Sequence, residues 1–376
     1  MTHRRRPTAR TARATFAWVA VALLALVGAC TKSVTARDCP LGESPFCVDE
    51  SCECRDADAG IAADSGPPVT VWDAGGGTPP GSGVLPPAAT CVLTPELAAR
   101  WIAFDSNRDT YNRDIYFVHA DGTNLTRITT DASTEKDPTF SHAGTVLAFA
   151  SDRSGVMQIH AMDLLTGAVT QLTSLPAGAD QPSWSTDDAQ LVFHSGPSVY
   201  VMAADGSGAR VVATGIDDFN AFKYPSLSLD GTEVVFDRNN EIDAHAMTGS
   251  AQRYIVQNWT TTEETPSVSP DGVNVAYAVY CTTAEQIVVV PFAGYAPEPC
   301  VGVIATPASA GSARRPAWGT TSVLAFERFA SLPYGGAVSA NISISTSPGS
   351  DPCDVVGPPG DNRDPNWAPV GFELSL

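Results

Sequence analysis

The sequence predicts an all-β fold: a six-bladed β-propeller of four-stranded blades, closed by a C-terminal inner strand and preceded by a flexible tether. Three observations carry this. A Pro followed two residues later by an apolar or aromatic residue recurs six times, as Pro138-Thr-Phe140, Pro182-Ser-Trp184, Pro225-Ser-Leu227, Pro266-Ser-Val268, Pro316-Ala-Trp318 and Pro365-Asn-Trp367, at intervals of 41–50 residues. An apolar–apolar–aromatic run also recurs six times, as Ile102-Ala-Phe104, Leu147-Ala-Phe149, Leu191-Val-Phe193, Val234-Val-Phe236, Val275-Ala-Tyr277 and Leu324-Ala-Phe326. Finally, the first repeat lacks its Pro-x-aromatic element, while the last such element has only nine residues after it. Repeats of this period are built from single supersecondary units that bury their faces against each other. The C-terminus then completes the blade that residues 101–130 begin, and a ring closed in this way has no unpaired inner edge.

Residues 1–29 read as a signal peptide. Arg4, Arg5, Arg6, Arg10 and Arg13 form a basic start, followed by an apolar run from Phe16 to Ala29 that is short for a membrane span. The run ends in Leu26-Val-Gly-Ala-Cys30, which resembles the lipobox of bacterial lipoproteins. That resemblance implies acylation of Cys30, partnership with outer-membrane lipid, and a place in the cell envelope facing the periplasm or the cell surface. Multiple acyl chains make a lasting anchor, at about 0.8 kcal/mol per buried CH₂. An ordinary signal peptide with a chance Cys is the other reading.

Residues 30–55 form a Cys-rich segment with Cys39, Cys47, Cys52 and Cys54. Residues 56–90 form a linker, in which 13 of the 28 residues from Gly60 to Pro87 are Gly or Pro and no apolar period survives. The compact domain occupies residues 91–376. Within it, third strands follow at Ile115–Val118, Ile159–Met162, Val199–Met202, Ala244–Met247, Ile287–Val290 and Ile342–Ser345, and fourth strands are clearest at Leu125–Thr129 and Val169–Thr173. Ser228-Leu-Asp-Gly231 and Ser269-Pro-Asp-Gly272 supply hairpin turns.

Composition excludes several classes. The chain of 376 residues is 17% charged with a net charge of −19, which falls to −24 once the five arginines of the leader are removed. Such an acidic chain has no means of neutralising phosphates, so no nucleic-acid partner is expected. Removing Cys30 leaves eight cysteines in an oxidising compartment, an even set that fits disulfides. Metal binding by the first four stands as the alternative, although C-x-C at 52–54 without a neighbouring His is a poor zinc set. Cys91, Cys281, Cys300 and Cys353 are scattered. Cys281 ends a second strand and Cys300 begins a fourth, which places them at opposite ends of one blade; connectivity is not fixed by the sequence, and Cys91–Cys353 is favoured because it would fasten the chain entry to the closing blades.

Phe149-Ala-Ser-Asp-Arg-Ser-Gly155, Asp114-Ile-Tyr-Phe-Val-His-Ala-Asp-Gly122 and Pro266-Ser-Val-Ser-Pro-Asp-Gly272 resemble the TolB-type propeller repeat over about residues 95–376. The resemblance implies the fold and a range of roles: periplasmic scaffold, enzyme accessory domain, occasional lyase.

Motifs for chemistry are sparse. G-x-S-x-G and H-E-x-x-H are absent, and Asp105-Ser-Asn-Arg-Asp109 departs from a calcium loop at Thr110 and Tyr116. No metal or cofactor set is indicated. His160 and His245 share a repeat position with Tyr116 and Tyr200, where they either pack as rings or pair on a metal across blades. His194 follows Phe193 where other repeats carry Asp105, Asp237 and Glu327. These four, with Asp109, Arg113, Asp152, Arg153, Arg238 and Arg328, are the binding-face candidates near one channel mouth. Their alternative role is mutual pairing with Arg108, Arg153, Arg238 and Arg328 to lock the blades. Asp131, Glu135, Asp137, Asp217, Asp218, Glu263 and Glu264 make the loops before the inner strands acidic, which favours a cationic partner. The expectation is a monomeric, non-catalytic propeller that binds an envelope protein or polymer. The alternatives are a metal-dependent, lyase-like carbohydrate-active enzyme and a purely structural envelope protein.

Overall fold

The computed structural model describes residues 92–374 apart from 216–221, 240, 249, 258–262, 282–283, 297–299, 301, 307–310, 330–338 and 348, together with the backbone of 43–48 and 51–56. The chain divides into two units, Met1–Gly76 and Gly77–Leu376. In the first, Glu43–Val48 and Ser51–Asp56 pair as an antiparallel hairpin with Cys47 opposite Cys52 in register. Cys30, Cys39, Cys91, Asp217 and Asp218 lie outside the described residues.

The second unit contains six four-stranded antiparallel sheets, the blades. Blade one takes its inner strand, Asn362–Trp367, from the C-terminus and its other strands from Trp101–Ser106, Asp114–His119 and Thr126–Arg127. Blades two to six run in sequence order, with inner strands Glu135–Phe140, Asp180–Trp184, Phe222–Leu227, Glu263–Val268 and Ser312–Trp318. The expected closure is therefore present. Among the described residues the only helix is the single turn Pro95–Ala98, whose Thr94 hydroxyl caps the Leu97 N–H.

The core consists of six apolar slabs between neighbouring blades, and the second strand explains why. Successive side chains of a strand point to opposite faces. In Ile102-Ala-Phe104, Ile102 and Phe104 pack towards blade six while Ala103 packs towards blade two. Leu147 and Phe149 likewise face blade one, and Ala148 faces blade three. Two large residues on one face and a small one on the other let each sheet nest into the next at close-packed density. Third-strand rings extend the slabs: Tyr116 stacks on Phe104 at 5.7 Å, Tyr200 on Phe193 at 5.5 Å and His160 on Phe149 at 6.0 Å. His245 packs at 5.0 Å from Phe236. Burial lowers the pKa of both histidines, which favours neutral packed rings.

The seam is held by more than strand pairing. Arg100, just before blade one, donates to the carbonyls of Gly319 in blade six and of Ala368 (2.7 Å), and its guanidinium lies 4.9 Å from the Trp367 ring. Gly319 permits this contact, because a Cβ there would sit 2.7 Å from the Trp367 indole.

One expectation is corrected. Cys281 and Cys300 form a disulfide, with Cα atoms 6.0 Å apart. The premise that Cys300 lies at the far end of the blade fails because residues 292–296 do not make a simple turn. They fold back along the outer strand of blade four, where the Ala296 N–H donates to Ile255 O at 2.9 Å and Ala296 bridges in parallel to Val256. This brings Cys300 against the slab between blades four and five, which contains Cys281. Cys353 is also disulfide-bonded.

Two measurements test the packing. Trp367→Ala should cost about 3–5 kcal/mol of unfolding free energy in urea, as for other large buried aromatics. Cys281→Ser should cost about 2–4 kcal/mol.

Candidate functional site

Every inner strand carries a β-bulge at the same place, and the six bulges build the axial channel. In blade two Lys136 pairs with Ala150 and Thr139 with Ala148, so Asp137 and Pro138 together oppose Phe149. The other blades repeat this offset opposite Phe193, Phe236, Tyr277, Phe326 and Phe104. Proline has no N–H for the ladder, so an inner strand accommodates it only where pairing is interrupted. The residue before each proline takes a positive φ: Asp137 54°, Gln181 54°, Tyr224 51°, Thr265 56°, Arg315 53° and Asp364 53°. Extended backbone is the ordinary conformation before proline, and a positive φ costs non-glycine residues about 1–3 kcal/mol each. These residues line a cavity of about 150 Å³ on the propeller axis. None but Asp137 was a sequence candidate; the invariant proline within an inner strand was the available signal.

A relay of hydrogen bonds holds this ring. The bulge N–H of one blade donates to the ring side chain of the preceding blade: Gln181 to Asp137 Oδ2 (3.3 Å), Tyr224 to Gln181 Oε1 (2.8 Å) and Arg315 to Thr265 Oγ1 (3.2 Å). Arginine accepts no hydrogen bond, so after Arg315 the Asp364 N–H turns to Glu327 Oε1 at 3.0 Å. The Asp137 N–H donates to Asp105 Oδ1 at 3.2 Å. Asp105 and Glu327 are thus buried struts of the ring.

Charges in the ring are tightly matched. Arg315 pairs with Asp364 and with Glu327 (3.4 Å), and it donates to the Tyr224 hydroxyl at 3.1 Å. Lys136 bridges Asp180 (2.8 Å) and Asp137 (3.3 Å), and His194 Nδ1 meets Asp180 at 2.7 Å. Arg113 pairs with Asp105 and with Asp361 (3.1 Å). Burial, then the neighbouring Asp364 carboxylate, push Asp137 up to about 7. Burial and Asp364 raise Asp105 far above the carboxylate range. Burial also opposes ionisation of Asp364, but Arg315, a hydrogen bond from Asp105 and Arg113 hold its pKa low. Like charges in contact push their pKa values apart in this way.

The remaining candidates are mostly engaged locally. Asp109 accepts from the Tyr116 hydroxyl at 2.8 Å, and Asp152 accepts from the Thr134 N–H at 2.8 Å. Arg153 pairs with Asp131 (2.7 Å) and Glu135 (3.3 Å), Arg238 with Asp243 (3.0 Å) and Arg328 with Asp354 (2.9 Å). Asp237 is buried opposite Lys223. Locking therefore occurs largely with partners other than the expected ones: Asp105 uses Arg113 and Glu327 uses Arg315. The expected acidity of the loops before the inner strands is reduced as well, because Glu135 and Asp137 are buried.

Exposed acid collects instead at the opposite mouth, on the hairpin turns. Asp187, Asp230 and Asp271 are exposed on the turns that follow the inner strands, and Asp121, Asp163 and Asp205 on the outer turns of the same face. Hydrogen bonds from the turns hold several below the usual carboxylate range: the Ser185 hydroxyl on Asp187, the Thr232 N–H on Asp230 and the Ser269 hydroxyl on Asp271. The turns after the inner strands surround a second, wider cavity of about 470 Å³ that joins the first, with Trp184, Trp318 and Trp367 in its walls and Leu229 and Val370 at its rim. Among the described residues no group of three or more His, Cys, Asp or Glu is arranged to hold a metal ion.

The geometry defines a class: closed six-bladed propellers with an axial channel open to an acidic, tryptophan-walled mouth. The sequence matches the TolB beta propeller domain over residues 98–195 and 158–322, and the chain belongs to that family. A "Protein TolB homolog" of Chlorobium luteolum is 31% identical over 140 residues, covering 36% of this chain and 30% of that relative, so the match spans under a third of its length. TolB from Acinetobacter baumannii superposes with a TM-score of 0.59 at 16% identity, over 73% of this chain and 67% of that one. A putative TolB from Agrobacterium tumefaciens gives 0.56 at 12% identity, over 70% and 91%. The hydrazine synthase of Kuenenia stuttgartiensis gives 0.57 at 14% identity, over 74% and 48%, so the likeness is one of fold.

The raised pKa of Asp137 has a defined consequence. The folded state holds a proton that the unfolded chain releases near pH 4, so this contribution to stability falls as pH rises from about 4 to about 7. Asp137→Asn should flatten the fall in stability between pH 5 and 8, by up to about one proton in the linkage slope, as read from urea unfolding at each pH.

Proposed function

We propose that this chain is a membrane-anchored, non-catalytic propeller of the bacterial envelope that binds a cationic protein or polymer partner through the hairpin-turn mouth of its channel. One observation carries the reading. The described charges at the other mouth are largely consumed in ion pairs, whereas three exposed aspartates at this mouth, Asp187, Asp230 and Asp271, keep their hydrogen bonds within their own turns. Fixed negative charge around an opening steers positively charged partners and speeds their encounter. The apolar rim supplies area that remains effective once the partner has docked.

Anchoring follows from Cys30 as the acylated N-terminus, with residues 30–55 as the lipidated segment and residues 56–90 as the tether to the propeller. Among the described residues no helix is long and apolar enough to cross a membrane. A lipid at Cys30 would supply the membrane attachment.

Two experiments test this. Envelope extracts passed over the full chain should yield a retained partner that elutes as ionic strength rises beyond about 0.1 M, where the screening length falls to ~10 Å. Asp187→Asn, Asp230→Asn and Asp271→Asn together preserve the turn acceptors while removing charge, and should release that partner at lower salt. Retention unchanged by the triple variant would refute the acidic mouth as the binding face. For the anchor, Cys30→Ser should abolish acyl-chain incorporation and move the protein from the membrane fraction to the soluble one.

A further inference from the structure

We propose that the axial channel below the hairpin mouth is a binding site for an uncharged saccharide, the end of a neutral glycan chain. This goes beyond the partner reading, since it concerns the interior of the channel and not its charged rim. The residue after each inner-strand proline lines both cavities, giving a second ring of Thr139, Ser183, Ser226, Ser267, Ala317 and Asn366. Ser226 Oγ accepts from the Val268 N–H at 3.1 Å and Asn366 Oδ1 from the Phe140 N–H at 3.0 Å. Among the described residues the hydroxyls of Thr139, Ser183 and Ser267 have no such partner. Thr139 is only 7% exposed and lines the channel. These hydroxyls open onto the channel, so each is satisfied by whatever occupies the space before it.

The chemistry of the ring selects the occupant. Hydroxyls both donate and accept, and no ionised group stands at this level. Above it the three indoles and Leu229 line a volume of about 470 Å³, well within the range of small-molecule sites, together with His142 and Arg100, whose guanidinium is engaged by the carbonyls of Gly319 and Ala368. A ligand that fits presents uncharged donors and acceptors in several directions together with C–H faces, which describes a pyranose. An anion meets the Asp137 and Asp364 carboxylates below and the aspartates of the rim. A cation meets Arg315 and Lys136 at the lower ring. An extended peptide docks by pairing its backbone along a strand edge, whereas this ring offers side-chain hydroxyls from four of the six converging strands and the Asn366 amide from a fifth.

The test uses the full chain titrated with β-1,4-linked trimers of glucose and of N-acetylglucosamine, read by tryptophan fluorescence and by calorimetry. A saturable response is expected with at least one trimer. It should weaken at least tenfold in the combined variant Thr139→Val, Ser183→Ala and Ser267→Ala, with the thermal midpoint preserved. The rim variant Asp187→Asn, Asp230→Asn and Asp271→Asn should bind the trimer normally even where it has lost its protein partner, so the two readings fail separately. No saturable response to either trimer up to about 10 mM, a Kd weaker than ~3 kcal/mol of binding free energy, overturns the proposal. So does a response that survives loss of the three hydroxyls, or a channel that takes up peptides and not trimers.

Discussion

The pairing of Asn362–Trp367 with Trp101–Ser106 is the constraint on which the rest of the molecule depends. A ring of blades has no independent core in any one blade, because each slab belongs to two neighbours. Only when the last strand joins the first blade does the slab between blades six and one become continuous, with Trp367, Ile102, Phe104, Ala325 and Ile344 in one cluster. The same strand delivers Asp364 into the channel, where it meets Arg315 from blade six. Closure, core and channel electrostatics are one event.

The bulges show how that architecture is turned towards binding. Six residues held at positive φ before proline are local costs repeated around the ring, tolerated because the paired strands on either side leave no alternative. In return the channel acquires two stacked rings of side chains, a lower one that carries Asp137, Arg315 and Asp364 and an upper one that is uncharged and mostly hydroxylic. The ionised groups of the lower ring satisfy each other, which leaves the upper ring and the hairpin mouth as the chemically available surfaces.

The repeat pattern made the blades legible because a period of two and a fixed spacing leave a trace in sequence. The strand position of His160 and His245 was legible for the same reason, and of the two roles left open for them the structure shows packed rings. The ring at Asp137, Gln181, Tyr224, Thr265, Arg315 and Asp364 was not. Its members share no side-chain chemistry, and the ordinary preference of a residue before proline points to extended backbone. The Cys281–Cys300 bond was missed because it depends on residues 292–296 running against a neighbouring blade, which strand periodicity does not encode.

By itself the sequence determined the number of blades, their strands, the inner strand taken from the C-terminus and the sign of the overall charge, all of which follow from residue order and composition. Only the tertiary structure decided which acids are free. Glu135 and Asp137 look like surface charge in sequence, yet Glu135 lies against Ser151 and Arg153 while Asp137 faces the channel beside Lys136. Asp187, Asp230 and Asp271 look like turn residues and are the exposed charge of the wide mouth. The physical reason is that ionisation and availability depend on burial and on partners brought together around the ring from distant repeats.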